Sequence, residues 1–231
     1  MTKKERKRKK KLQMYNKRLI KKYYWLMPRN VWTDKILKDY DYTFINWGWC
    51  DGWDKAFGMM YLEELGAEIK RIGQKDFRIL QQKEKYGSCR NYTSGTSDKA
   101  LSIIRKYEII SQNICCRCGC EAPMIDDGWV SPYCFDCWVK IQRRREKYYL
   151  ENNLQEEPES LESLQEKYNE YICDKPQEDG SWLPMTYTVR HFSKDGDYNE
   201  VIDISETVNR IRRRQEKWKG GKTRLINPSS T

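Results

Sequence analysis

The chain has one histidine, His191, among 231 residues. Histidine carries most general acid–base and nucleophile-activating chemistry, and HNH-type nucleases, a frequent use of small zinc–cysteine proteins, depend on it. Here the single copy sits in an expected strand beside Phe192 and is read as a half-buried strand residue. Apolar residues are also few, 38% of the chain, which is lean for one large core. Nine tryptophans and sixteen tyrosines supply much of what can be buried, in small aromatic-rich cores or on surfaces that grip a partner. No stretch approaches the ~20 apolar residues of a membrane span. The basic start has no unbroken apolar run behind it, because Lys17, Arg18, Lys21 and Lys22 interrupt it. That argues against a signal peptide and a membrane partner and for an intracellular protein. Nine cysteines in such a chain point to thiolates and metal rather than disulfides.

Acid is scarce at both ends. Residues 1–30 hold thirteen Lys or Arg against Glu5, and residues 209–231 hold eight against Glu216. With +12 and +7 there and +10 overall, residues 31–208 carry −9.

No internal repeat is visible, and the chain divides into five stretches. Residues 1–30 form a basic arm that is partly helical. Its first part, "MTKKERKRKKK", reads as disordered, since nothing in it repays ordering entropy. Leu12, Tyr15, Leu19, Tyr23 and Leu26 then recur at helical spacing up to Pro28. Residues 31–113 form an α-β-β-α region. It has a helix burying Trp53, Phe57, Met60, Tyr61 and Leu65 and closed by Gly73, then a hairpin turning at Tyr86, Gly87 and Ser88. Its second helix is capped by Thr96, Ser97 or Asp98. Residues 114–152 hold six cysteines and a basic helix. Residues 153–180 are an acidic linker and helix. Residues 181–231 give a β-hairpin, a basic helix opened by Ser205, and a polar tail released by Gly220 and Gly221.

Cys115, Cys118, Cys134 and Cys137 have the spacing C-x2-C-x15-C-x2-C of a four-cysteine zinc site. Two thiolates three residues apart reach one ion through a tight turn, and two such pairs complete a tetrahedron. Gly119 supplies the permissive backbone of the knuckle, and Asp127-Gly128 signals a hairpin flanked by Met124, Ile125, Trp129 and Val130. The second pair opens a helix. Knuckle, hairpin and helix together resemble a treble-clef zinc finger. With every position filled by sulfur, one structural zinc ion is expected. Cys116 and Cys120 are left as substitute ligands or free thiols, and Cys50, Cys89 and Cys173 as structural residues.

On the helix after the cluster, Trp138, Ile141, Arg145 and Tyr148 share one face, whereas Lys140, Arg143, Arg144 and Lys147 share the opposite one. The last helix repeats the pattern with Arg210, Arg213, Arg214 and Lys217, and Arg212 lies at its margin. Such stripes track phosphates, and Lys9, Lys10 and Lys11 on the arm add sequence-independent affinity. RNA, DNA or a host nucleoprotein complex is the partner this implies. A carboxylate-dependent metal nuclease would need more than Glu84 and Lys85, and no upstream aspartate completes such a site.

The run from "QQKEKYGSCRNYTSG" through "IIRKYEIISQNICCRCG" to "GWVSPYCFDCW" resembles a group of uncharacterised bacteriophage and prophage proteins. These share a KEK[YF]G hairpin, a helix, a C-x-x-C-G knuckle, a Gly-Trp strand and a second cysteine pair. The resemblance covers roughly residues 50–138 and supports Cys115, Cys118, Gly119, Trp129, Cys134 and Cys137 as the zinc module. The sequence departs from it at Cys89, where leucine is usual, and in Cys116 and Cys120. It implies a phage accessory protein in the bacterial cytoplasm. The expectation is an α+β, non-enzymatic protein built round a treble-clef-like zinc module and binding nucleic acid. An inhibitor of host defence of the anti-CRISPR kind, acting by protein–protein contact, is the competing reading, and the nuclease comes third.

Overall fold

The computed structural model describes residues 1–30, 32–37, 41, 50–152, 154, 157–191 and 196–220. The expected domain start at Val31, the His191 side chain, residues 193–195 of the expected turn and the tail from Gly221 onward lie outside the described residues.

Helix α1 (Lys3–Lys22) starts in a capping box, in which the Thr2 hydroxyl accepts from the Glu5 N–H at 3.2 Å and the Glu5 carboxylate accepts from the Thr2 N–H. The first residues, expected to be disordered, are therefore helical from Lys3, because this cap satisfies donors that a helix start leaves open. Leu19 and Ile20 face inward, and a 3-10 turn at Tyr24–Leu26 drives Trp25 and Leu26 into the core.

Helix α2 (Asp51–Trp53) runs through a π-helical turn (Asp54–Gly58) into α3 (Met59–Arg71). Trp53, Phe57, Met60, Tyr61 and Leu65 are all buried, as their spacing predicts. Strands β1 (Arg78–Lys85) and β2 (Ser88–Ser94) pair antiparallel, with Lys85 opposite Ser88. Tyr86 and Gly87 between them both adopt positive φ, the primed turn whose twist suits a two-residue hairpin. Of the three expected caps of α4 (Asp98–Ser111), Ser97 serves: its hydroxyl accepts from the Ala100 N–H at 3.2 Å.

The cysteine-rich segment adds β3 (Met124–Asp126), β4 (Val130–Pro132) and α5 (Phe135–Glu151), followed by α6 (Leu161–Glu170). The chain then forms β5 (Thr186–His191), β6 (Tyr198–Asp203) and α7 (Ser205–Gly220). Helix α7 opens at Ser205, as expected, and the Asp203 carboxylate accepts from the Ser205 N–H at 2.8 Å, the bond an aspartate makes to the backbone two residues on.

The result is an α+β fold with three two-stranded antiparallel sheets among the described residues. Its main core runs from Leu19 and Trp25 through α3 and α4 to Val208 and Ile211 of α7. The low apolar content thus does not prevent one large core. Trp25, Trp53, Phe57, Tyr61, Phe77 and Tyr107 are all buried in it, and aromatic side chains bury about 150–250 Å² each. A smaller cluster of Ile125, Trp138, Leu164 and Tyr168 joins the β3–β4 hairpin, α5 and α6. Among the described residues no helix is long and apolar enough to cross a membrane.

Candidate metal centre and basic faces

The two C-x-x-C pairs meet. The sulfurs of Cys115, Cys118, Cys134 and Cys137 lie within 4.8 Å of one another, and those of Cys118 and Cys134 are 3.6 Å apart. Four sulfurs bound at ~2.3 Å to one ion stand about 3.8 Å from each other, so this donor set fits a metal ion at its centre. The Cys115 N–H donates to the Cys120 carbonyl (2.8 Å) and the Gly119 N–H to the Cys115 carbonyl (3.0 Å), with Gly119 at φ 80°. Cys134 caps α5 and Cys137 lies in its first turn. Knuckle, hairpin and helix start therefore contribute as their order in the sequence implies.

The main core holds the knuckle by its backbone. The indole N–H of Trp53 donates to the Ile114 carbonyl (2.8 Å), and the Gln215 amide of α7 donates to the Gly119 carbonyl (2.8 Å). The Gly52 N–H donates to the Cys116 carbonyl at 2.8 Å, and a Cβ at Gly52 would come within 2.1 Å of the Cys115 carbonyl oxygen. Only glycine permits that approach.

The two spare cysteines differ. Cys116 turns into the main core beside Cys50, and that neighbour, together with burial, pushes its thiol pKa well up. Cys120 stays at the site, its sulfur 3.0 Å from that of Cys118. Hydrogen bonds from Cys118 and its neighbours hold Cys115 far below the ordinary thiol range. Cys115 pushes Cys118 up, but Cys120, Cys134 and Cys137 outweigh it and bring Cys118 down to about 3. Hydrogen bonding to Cys115 and Cys118 raises Cys120, Cys134 and Cys137. Cys89 is buried with its thiol donating to the Tyr107 carbonyl at 3.4 Å, whereas Cys173 is exposed.

Asp127, read from the sequence only as a turn residue, is the anchor of this region. Its carboxylate oxygen accepts from the Trp138 indole (3.1 Å), the Gln142 amide (3.0 Å) and the Arg145 guanidinium (3.0 Å), and its side chain is 8% exposed. Asp174 similarly accepts from the Asn113 amide and the Met124 N–H, both at 2.9 Å. Trp129 stands 63% exposed at the hairpin tip.

The basic stripes separate. On α5, Nη1 of Arg143 donates to both carboxylate oxygens of Glu146 (3.0 and 2.8 Å) and to the Glu159 carbonyl (2.7 Å). Arg143 thus belongs to an internal network rather than to an outward stripe, because buried Glu146 needs a cation. Lys147 pairs with Glu151 at 3.8 Å, while Lys140 and Arg144 are exposed. On the face opposite that stripe, Trp138 is buried and Ile141 half-buried, whereas Arg145 and Tyr148 are exposed. On α7, Arg212 pairs with Glu121 at 3.0 Å. Arg210, Arg213, Arg214 and Lys217 converge with Met60 and Glu216 on a concavity of about 380 Å³. Arg214 donates to the Lys55 carbonyl at 3.2 Å. Among the described residues no carboxylate forms an ion pair with Arg210, Arg213 or Lys217. On α1, Lys9 pairs with Asp41 at 2.7 Å, and Lys10 and Lys11 are exposed.

Glu84 does not join a carboxylate cluster: its side chain accepts from the Gly87 N–H at 2.7 Å and fixes the hairpin turn. The four cysteines are the one convergent group of potential metal ligands among the described residues. No protein-family model, curated protein or solved structure matches this chain.

Proposed function

We propose that this is a non-enzymatic, zinc-stapled protein that binds RNA or DNA, free or in a host nucleoprotein complex, as a phage accessory factor in the bacterial cytoplasm. Zinc is favoured because all four donors are cysteine sulfurs near tetrahedral spacing, a soft set that leaves no vertex for water. The ion would be structural, pinning the knuckle to the start of α5.

The observation that carries the binding reading is the concave group of Arg210, Arg213, Arg214 and Lys217 on α7. Helix α1 adds twelve Lys or Arg against one Glu. Cations left without internal acids displace counterions from phosphates, which makes binding steeply salt-dependent. The Lys55 ammonium lies 4.1 Å from the centroid of the Trp218 ring at the end of α7.

Anisotropy of labelled single-stranded RNA and DNA, titrated from about 50 to 200 mM salt, tests this. A protein with six or more phosphate contacts loses about a thousandfold in affinity over that range. No binding at low salt, or binding insensitive to salt, refutes the reading. Affinity capture that recovers one stoichiometric host protein resistant to nuclease treatment replaces it with an inhibitor acting by protein contact.

A further inference from the structure

A cavity of about 620 Å³ lies where α1 ends against α3 and the loop at Gly73–Lys75, within the roughly 300–1,000 Å³ of small-ligand sites. It is remote in sequence from both the cysteine cluster and α7. Its walls include Tyr23, Trp25, Gly66 and Ile69, and its lining is mostly apolar. The Tyr23 ring packs against α3 so closely that a Cβ on Gly66 would meet it at 2.6 Å. Tyr24, 42% exposed, adds an accessible aromatic ring, stiffened by its hydroxyl's bond to the Gln74 carbonyl and by the Arg78 guanidinium 5.3 Å from the ring centroid.

The charges at its mouth set this cavity apart from a packing defect. The rim carries Lys22, Lys70 and Lys75 against the single carboxylate of Glu63, which lies 3.9 Å from Lys22.

We infer that this cavity receives one unstacked base of a bound nucleic acid, with the flanking phosphates on Lys22, Lys70 and Lys75. An apolar, aromatic-walled hollow with cations at its mouth matches a flat heterocycle on an anionic backbone. The cationic face of α1 ends at this mouth, since Lys22 belongs to both. A strand lying along α1 is thereby led to it. Sequence-tolerant grip of this kind combines a basic track with aromatic side chains that hold bases. The inference rests on the nucleic-acid reading above and adds contact with bases to contact with phosphates.

The test compares a single-stranded oligonucleotide with one of equal length whose residues are all abasic, using the full-length, metal-loaded chain. Phosphates are the same in both. The wild-type protein should bind the base-bearing strand at least about fivefold more tightly, the lower bound of one base stacked on an aromatic ring. Ala67→Trp, at an exposed position lining the cavity, should remove that preference while leaving affinity for the abasic strand unchanged. Tyr24→Leu, which keeps an apolar side chain without the ring, should reduce it as well. Equal, salt-sensitive binding of both strands by the wild type overturns this inference and leaves the phosphate-binding reading intact. A preference that persists in both variants also overturns it. If neither strand binds, both readings fall. If an acidic, aromatic peptide occupies the cavity and is not displaced by the base-bearing strand, the site belongs to a protein partner and the inference is wrong.

Discussion

Helices α5 and α7 carry basic stripes of the same spacing, yet the structure uses their cations differently. In α5, Arg143 serves buried Glu146 and the backbone at Glu159, and Arg145 serves Asp127. In α7, only Arg212 is paired with a carboxylate among the described residues, and its neighbours line a concavity. A guanidinium that neutralises a buried carboxylate is a structural part. One that faces solvent without an acid remains available to a phosphate. Glu146 is only three residues from Arg143 on the same helix, but its burial, the Glu159 carbonyl and Asp127 are supplied by the tertiary fold, so helical periodicity alone does not reveal the distinction.

The largest effect that separates the two helices should come from the metal. Cys115→Ser or Cys137→Ser should abolish binding of one zinc per chain, measured by elemental analysis. Structural zinc sites contribute on the order of 10 kcal/mol. Hydrogen exchange should then accelerate through α5, which begins on the ligands, and spare residues 205–212 of α7, which are held by Val208 and Ile211 in the main core. Cys116→Ser should keep its full metal content, because that thiol faces the core.

Next in size, Arg210→Ala/Arg213→Ala/Lys217→Ala should weaken oligonucleotide binding by about ten- to a hundredfold, with each lost phosphate contact lowering the salt slope by ~0.9. Its thermal stability should stay within about 0.5 kcal/mol of wild type, as for exposed residues without structural partners. Asp127→Ala should do the reverse: about 2–3 kcal/mol of stability lost in denaturant titration, because the Trp138 and Gln142 donors lose their acceptor, with oligonucleotide affinity unchanged. Smallest, Glu146→Gln should cost about 1–2 kcal/mol. The carboxylate is buried, but the arginine it holds is 38% exposed, and water screens part of that loss.

Local patterns were readable in advance. The paired cysteines, the Asp127-Gly128 and Tyr86-Gly87 turns, and the apolar spacing of Trp53 to Leu65 all appear where the sequence places them. What stayed hidden depends on tertiary contact. Gly52 has no signal of its own, yet the knuckle docks on it because its missing Cβ makes room for the Cys115 carbonyl. Asp127 looks like any hairpin aspartate until Trp138, Gln142 and Arg145 converge on it. The helical start of α1 was legible in Thr2 and Glu5 but was masked by the lysine run that follows. The cavity beside α1 joins residues 22–25 to residues 63–75, and no local pattern connects them.

The difference between the two basic helices can be read in one measurement, the salt dependence of oligonucleotide affinity in paired variants. The account predicts that Arg210→Ala/Arg213→Ala/Lys217→Ala flattens the slope by about 2–3, and that Arg143→Gln leaves it unchanged while lowering the melting temperature. Equal slopes for wild type and the α7 variant, or a flattened slope for Arg143→Gln at unchanged stability, would contradict it.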